Sequence, residues 1–158
     1  MLGPGDSLGE GDSHIIYDAL SPTLSNDAFD LLRNEVAWQT MHHRSGEVPR
    51  LVAVQGDIGE DDSVPLYRHP ADESPPLLAF TDTVERIRLE VQSLMNQPFN
   101  HVLIQLYRHG EDNISEHSDK VWEDLQSHHY THAGICYRLW TLCEDLVLSM
   151  LAWVLSAE

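Results

Sequence analysis

The stretch FNHVLIQLYRHGEDNISEHSDK, residues 99 to 120, decides how this chain is read. Its first half alternates, with Val102, Ile104 and Leu106 on one face of an extended segment and Leu103, Gln105 and Tyr107 on the other. Apolar groups on both faces imply a strand over residues 99 to 107 that is buried within layered sheet. Gly110, Asp112 and Asn113 supply a turn, and residues 114 to 119 a second short extended piece. On such a piece His117 and Asp119 share a face, so an imidazole nitrogen and a carboxylate oxygen can grip one metal ion. Tyr107, His109 and Asp112 stand close by in sequence, and nowhere else in the chain do groups suited to catalysis crowd in this way. A solvated hairpin end explains the His-x-Asp spacing about as well, so the spacing alone leaves both readings open.

Upstream of this stretch, Val84, Ile87, Val91 and Leu94 recur at intervals of three and four and predict a helix capped by Thr81 or Asp82 and stopped by Pro98. An earlier stripe of Phe29, Leu32 and Val36 predicts a helix from Ser25 to near Met41. Residues 42 to 46 read as a loop, 48 to 54 as a short strand with Pro49 near its edge, and 56 to 76 as acidic turn and surface connection. Downstream, Trp122, Trp140 and Trp153 lie among Leu, Val and Cys in segments read as helical over 120 to 127 and 137 to 155.

A chain of 158 residues fits one domain. At that length, roughly 70% of the extended-chain surface is buried on folding without disulfides. Cys136 and Cys143 make no disulfide framework and read as small core residues. Residues 1 to 20 are a flexible acidic lead, and no basic, apolar start suggests secretion. The apolar run from Leu139 to Leu155 is interrupted by Glu144 and Asp145, which argues against a membrane span and for a buried or partner-facing segment. Twenty-six acids against nine bases give a formal charge of -17, which repels a phosphate backbone. Nucleic acid contact would have to use a local patch drawn from Arg44, Arg50, Arg68 and Arg108. His42 and His43 read as a helix-to-loop junction or a groove edge, Asp57 with Glu60, Asp61 and Asp62 as a solvated acidic turn, and Glu85 with Arg88 as a helix-stabilising pair.

The stretch at 99 to 120 closely resembles the segment of AlkB-like iron(II) and 2-oxoglutarate dioxygenases in which a strand and turn lead into the metal-binding His-x-Asp. The matching positions are Phe99, Asn100, Val102, Leu103, Ile104, Tyr107, Gly110, Asp112, Ile114, His117 and Asp119. Weaker likeness runs upstream through Pro49 and Arg50, Gly56 and Asp57, Tyr67, and residues 85 to 88, so the resemblance covers about residues 25 to 120. It implies a double-stranded β-helix of the jelly-roll, cupin-like kind, which together with the helices read above gives the expected α+β fold: an incomplete double-stranded β-helix with flanking N-terminal helices and a helical C-terminal tail. The organisation expected is an acidic lead at 1 to 20, a partial dioxygenase domain at 21 to 120 and an atypical segment at 121 to 158.

The same resemblance implies Fe(II), 2-oxoglutarate and O2 as the reacting groups and oxidation of N-alkyl groups on nucleic acid bases or occasionally on protein, with oxidative demethylation of alkylated bases in DNA or RNA, as in DNA repair, the activity expected. The N-terminus and the two cysteines set the expectation of an intracellular, nuclear or cytoplasmic setting. Carried over by position, His117 and Asp119 hold iron and Tyr107 hydrogen-bonds the cosubstrate. Gln105 stands where the demethylases of the family carry asparagine, and its added methylene displaces the amide by about 1 Å. After Lys120 the likeness ends. The family's distal iron-binding histidine and cosubstrate arginine have only His128, His129, His132 and Arg138 as counterparts, and these come too early. The alternative expectation is therefore a non-catalytic scaffold whose apolar tail docks to a protein partner, the chain being either a truncated product or an evolved replacement of the second half of the fold.

Overall fold

The computed structural model describes residues 16–43, 46–65 and 75–114, together with the backbone of short strands at 7–8, 13–14, 136–143 and 146–153. The acidic lead, expected to carry no fold, contains two paired strands, β1 (Ser7–Leu8) and β2 (Ser13–His14), with Ser7 opposite His14. The expectation is corrected to that extent, because backbone pairing needs no apolar side chain, although a ladder this short is marginal alone.

Helix α1 spans Pro22–Glu35, not residues 25 to 41. Ser21 is its N-cap position and Pro22 opens the first turn, where a missing N–H costs nothing. Leu24, Ala28 and Leu32 recur every fourth residue and are fully buried. At the far end Val36 turns extended, and the Trp38 indole donates to the Arg33 carbonyl at 3.1 Å, satisfying one of the carbonyls a helix leaves open. The chain then leaves as β3 (Gln39–His43), which pairs antiparallel with β4 (Gly46–Gly56) from Gln39 opposite Val52 to His43 opposite Gly46. Of the segment expected as a loop, His42 and His43 belong to β3 and Gly46, whose φ of +127° suits only glycine, opens β4, while Arg44 and Ser45 lie outside the described residues.

Three residues of β5 (Leu77–Ala79) add to β4 in parallel, on the same side as β3 and further along. Helix α2 occupies Asp82–Met95, with Thr81 at the N-cap and Asn96 in the left-handed conformation at its end. The expected stripe holds for Val84 and Ile87, which are buried, and fades at Leu94, which is exposed. Ser21 beside α1 bonds Glu90 of α2, and Glu35 of α1 bonds Thr81 and Thr83 of α2, so the two helices run in opposite directions.

Strand β6 (His101–Tyr107) lies in the middle of the sheet. It pairs antiparallel with β4 on one side and β8 (Leu146–Trp153) on the other, and β8 pairs in turn with β7 (Cys136–Cys143), giving the order β3-β4-β6-β8-β7. The helical reading of 137 to 155 is overturned here. A strand buried on both faces must have its N–H and C=O groups paired on both edges, and β8 supplies seven register pairs, from His101 opposite Trp153 to Tyr107 opposite Val147. Tertiary pairing of this kind overrides a local helical pattern. The expected helix at 120 to 127 and the connection through Tyr67 lie outside the described residues.

The result is a mixed α+β fold with a sheet that does not close among the described residues. One face carries the main core, where Leu24, Phe29, Leu32, Val84 and Ile87 of the helices meet Ala53, Val102, Ile104 and Leu106. Burial of each large side chain there contributes about 1.5–3 kcal/mol. The opposite face carries a smaller cluster of Met41, Val48, Val52 and Leu103, and the polar groups lie beside it.

Candidate active site

Alternation along β6 puts Leu103, Gln105 and Tyr107 on the face away from the helices, and alternation along β4 puts Val48, Arg50 and Val52 on that same face. Register sets Gln105 opposite Val52 of β4 and Ser149 of β8. Gln105 is 3% exposed and Tyr107 8%, so both polar groups are held out of water. Arg50 Nε donates to Gln105 Oε1, and Arg50 Nη1 donates to the Asn113 carbonyl at 3.0 Å. The Asn113 N–H donates to the Pro49 carbonyl at 3.0 Å, so strand β4 and the turn after β6 are tied twice. The Tyr107 hydroxyl reaches the same Gln105 oxygen at 3.5 Å, a long and weak contact.

A guanidinium carries donors only, so the side of the Gln105 amide that faces Arg50 must be its oxygen. The two Nε2 hydrogens face elsewhere, and among the described residues nothing accepts from them. With its oxygen engaged by Arg50, the amide has its NH2 to donate, and a carboxylate or carbonyl group is the acceptor that suits it.

Beyond Tyr107 the backbone turns around Asp112, whose carboxylate is 2% exposed. Oδ2 accepts from the Arg108 N–H and from Arg108 Nε, both at 2.8 Å, and Oδ1 accepts from Arg108 Nη2 at 3.0 Å. Bonding by the Arg108 guanidinium holds the Asp112 carboxyl below the usual carboxylate range against the opposing effect of burial. His109 Nε2 stands 3.7 Å from Asp112 Oδ1. The turn that leads toward residue 117 is therefore built rather than loose.

At the other end of β6, Gly56 lies opposite His101 at such close approach that an added Cβ would come within 2.8 Å of the Asn100 carbonyl. Burial pushes the His101 imidazole down to about 4, and its Nδ1 lies 2.8 Å from Asn100 Oδ1. Outside the strand, Arg88 makes a two-pronged bond to Glu85 at 2.7 and 2.6 Å and donates to the Phe99 carbonyl at 2.8 Å. The Glu85 and Arg88 pair forms within α2 as its helical spacing suggested, and Arg88 in addition braces the start of β6, which that spacing did not suggest.

Of the expected site residues, Gln105 and Tyr107 are brought together, whereas His117 and Asp119 lie outside the described residues. The same holds for His128, His129 and His132, while Arg138 is placed by its backbone alone, opposite Leu151. Among the described residues no group of three or more His, Cys, Asp or Glu is arranged to hold a metal. His42 lies on β3 with its Nε2 3.9 Å from Glu47, an exposed cross-strand pair, and the acidic turn is solvated, with Asp61 accepting from the Ser63 N–H at 3.1 Å. Of the four arginines expected to form a basic patch, Arg50 and Arg108 are engaged within the chain and Arg44 and Arg68 lie outside the described residues. The sequence reading missed Arg50 as a partner of Gln105. The Val48, Arg50, Val52 alternation placed a cation on one strand face, but only the β4–β6 register identifies what it meets.

Among the described residues no helix is long and apolar enough to cross a membrane. The family model described as the 2OG-Fe(II) oxygenase superfamily matches residues 12–128 of the 158. No curated protein matches the chain.

Proposed function

The chain belongs to the 2OG-Fe(II) oxygenase superfamily, and we propose that it acts in oxidative demethylation of alkylated nucleic acid bases, with His117 and Asp119 as iron ligands and Gln105 and Tyr107 holding 2-oxoglutarate. The observation that carries this reading is the buried Gln105 amide, its oxygen bound to Arg50, on the strand that precedes His117 in the chain. When bound, iron with 2-oxoglutarate and O2 supplies the oxidising power that hydroxylates an N-alkyl carbon, after which the alkyl group leaves as an aldehyde.

The chain's own residues do the rest. Gln105 Nε2 offers a cosubstrate carboxylate two donors in a site shielded from water, where a charge-assisted bond is about twice as strong as a neutral one. Tyr107 offers a hydroxyl from the next position on the same face. The turn after β6 is held by Arg108 and Asp112 and fixes the backbone as far as Asn113.

Anaerobic titration with Fe(II) and 2-oxoglutarate tests the reading: a weak visible charge-transfer band is expected for the intact chain and is lost in His117→Ala and Asp119→Ala. Absence of the band at saturating ligand, or equal bands in all three proteins, would sink it. A second reading, a non-catalytic interaction protein, draws support from the apolar run from Leu139 to Leu155, which suits a partner-facing surface. A band with no turnover of methylated single-stranded DNA or RNA would favour that second reading.

A further inference from the structure

We propose that Arg50 is a positioning residue for the cosubstrate site: it holds the Gln105 amide by its oxygen, so that the Nε2 donors are the atoms presented to an incoming carboxylate. Three observations carry this. Arg50 Nε donates to Gln105 Oε1, and a guanidinium cannot accept, so the amide has one permitted orientation. Gln105 is 3% exposed, which removes water as a partner that would let the amide turn over. The same guanidinium donates through Nη1 to the Asn113 carbonyl at 3.0 Å, while the Asn113 N–H returns to Pro49, the residue before Arg50. One side chain on β4 therefore fixes both the ligand-facing amide and the turn that carries the chain toward His117. The contact also accounts for how a glutamine serves here. Its extra methylene adds one rotatable bond, and the Arg50 contact removes the freedom that the bond brings.

The orientation of the amide stands on the geometry alone, whereas its use by a carboxylate ligand rests on the function proposed above, and the two are separable by experiment. In the full-length, ligand-free protein, the Gln105 side-chain NH2 should give one sharp, slowly exchanging pair of proton resonances, which broadens or exchanges at least tenfold faster in Arg50→Lys. Lysine keeps the charge and a donor but loses the planar fork, and it guards against a variant that fails to fold. Calorimetric titration of the Mn(II)-loaded protein with 2-oxoglutarate should show affinity about tenfold weaker in Arg50→Lys and in Gln105→Ala. The double variant should be no weaker than either single one, while Mn(II) affinity itself changes less than twofold. Additive losses, or an Arg50→Lys protein that binds 2-oxoglutarate as the parent does, would overturn the positioning role. A Gln105 pair that exchanges equally fast in both proteins would overturn the orientation. A locked amide in a parent protein that binds no 2-oxoglutarate would keep the orientation and overturn the ligand assigned to it.

Discussion

At His101 the cost of burial falls on a titratable ring. The folded imidazole is held down to about 4 against an ordinary value of 6.5, so above pH 6.5 it is neutral in both folded and unfolded chains and its titration costs the fold nothing. As pH falls from 6.5 toward 4, the unfolded chain takes up a proton that the folded one refuses, and stability declines by an amount on the order of 3 kcal/mol. Urea unfolding at pH 7 and pH 4.5 should show that decline in the parent and a smaller one in His101→Gln; equal declines would remove His101 as the cause. Asp112 acts in a separate window. Its folded value is depressed by Arg108, so its contribution is present above the ordinary carboxylate value near 4 and is lost only as pH falls through the lower folded one. Neither effect is legible in the sequence. The string NHVLIQLY shows a histidine at a strand start, but its close pairing with Gly56 follows only from the β4–β6 register.

At the scale of elements, two carboxylates hold the helical layer together. Glu35, at the end of α1, accepts from the Thr81 hydroxyl at 2.7 Å, the Thr83 N–H at 3.1 Å and the Thr83 hydroxyl at 3.0 Å, so an anion from one helix caps the N-terminus of the other. Glu90 of α2 does the same for Ser21, accepting its N–H at 2.6 Å and its hydroxyl at 2.7 Å. Neither N-cap side chain bonds its own helix, which is the role an N-cap normally fills. Glu35→Ala should therefore cost about 1–2 kcal/mol in thermal or urea unfolding. Glu90→Ala, at a more exposed site, should cost less than about 1 kcal/mol. A Glu35→Ala protein as stable as the parent would show that the caps are redundant. The stripes and the cap residues Ser21 and Thr81 can be read from sequence, but the clasp joins residues 46 to 69 positions apart, which no local pattern encodes.

For the molecule as a whole, the outcome that matters most is that β6 is flanked by β4 and β8, because the strand carrying Gln105 and Tyr107 is then supported on both edges. A chain ended after Lys120 loses all seven β6–β8 register pairs and exposes the edge of a strand that is apolar on both faces. Such a protein should lose cooperative unfolding by circular dichroism and bind a hydrophobic dye. A shortened chain that melts with the parent's midpoint would make the β7–β8 hairpin dispensable. The formal charge of -17 suits neither outcome in particular and bears instead on partners, since two of the cations available for a phosphate backbone are already bound within the chain.

The sequence by itself determined the helix α2, the strand β6 with its two apolar faces, and the family, because each rests on local periodicity or on a contiguous motif between residues 99 and 120. Tertiary structure alone decided that the tail is a β-hairpin, that residues 39 to 43 form a strand and that Arg50 meets Gln105. The physical reason is common to all three. Backbone and side-chain hydrogen-bonding groups that leave water must find partners, and in a sheet those partners are set by register between strands far apart in sequence.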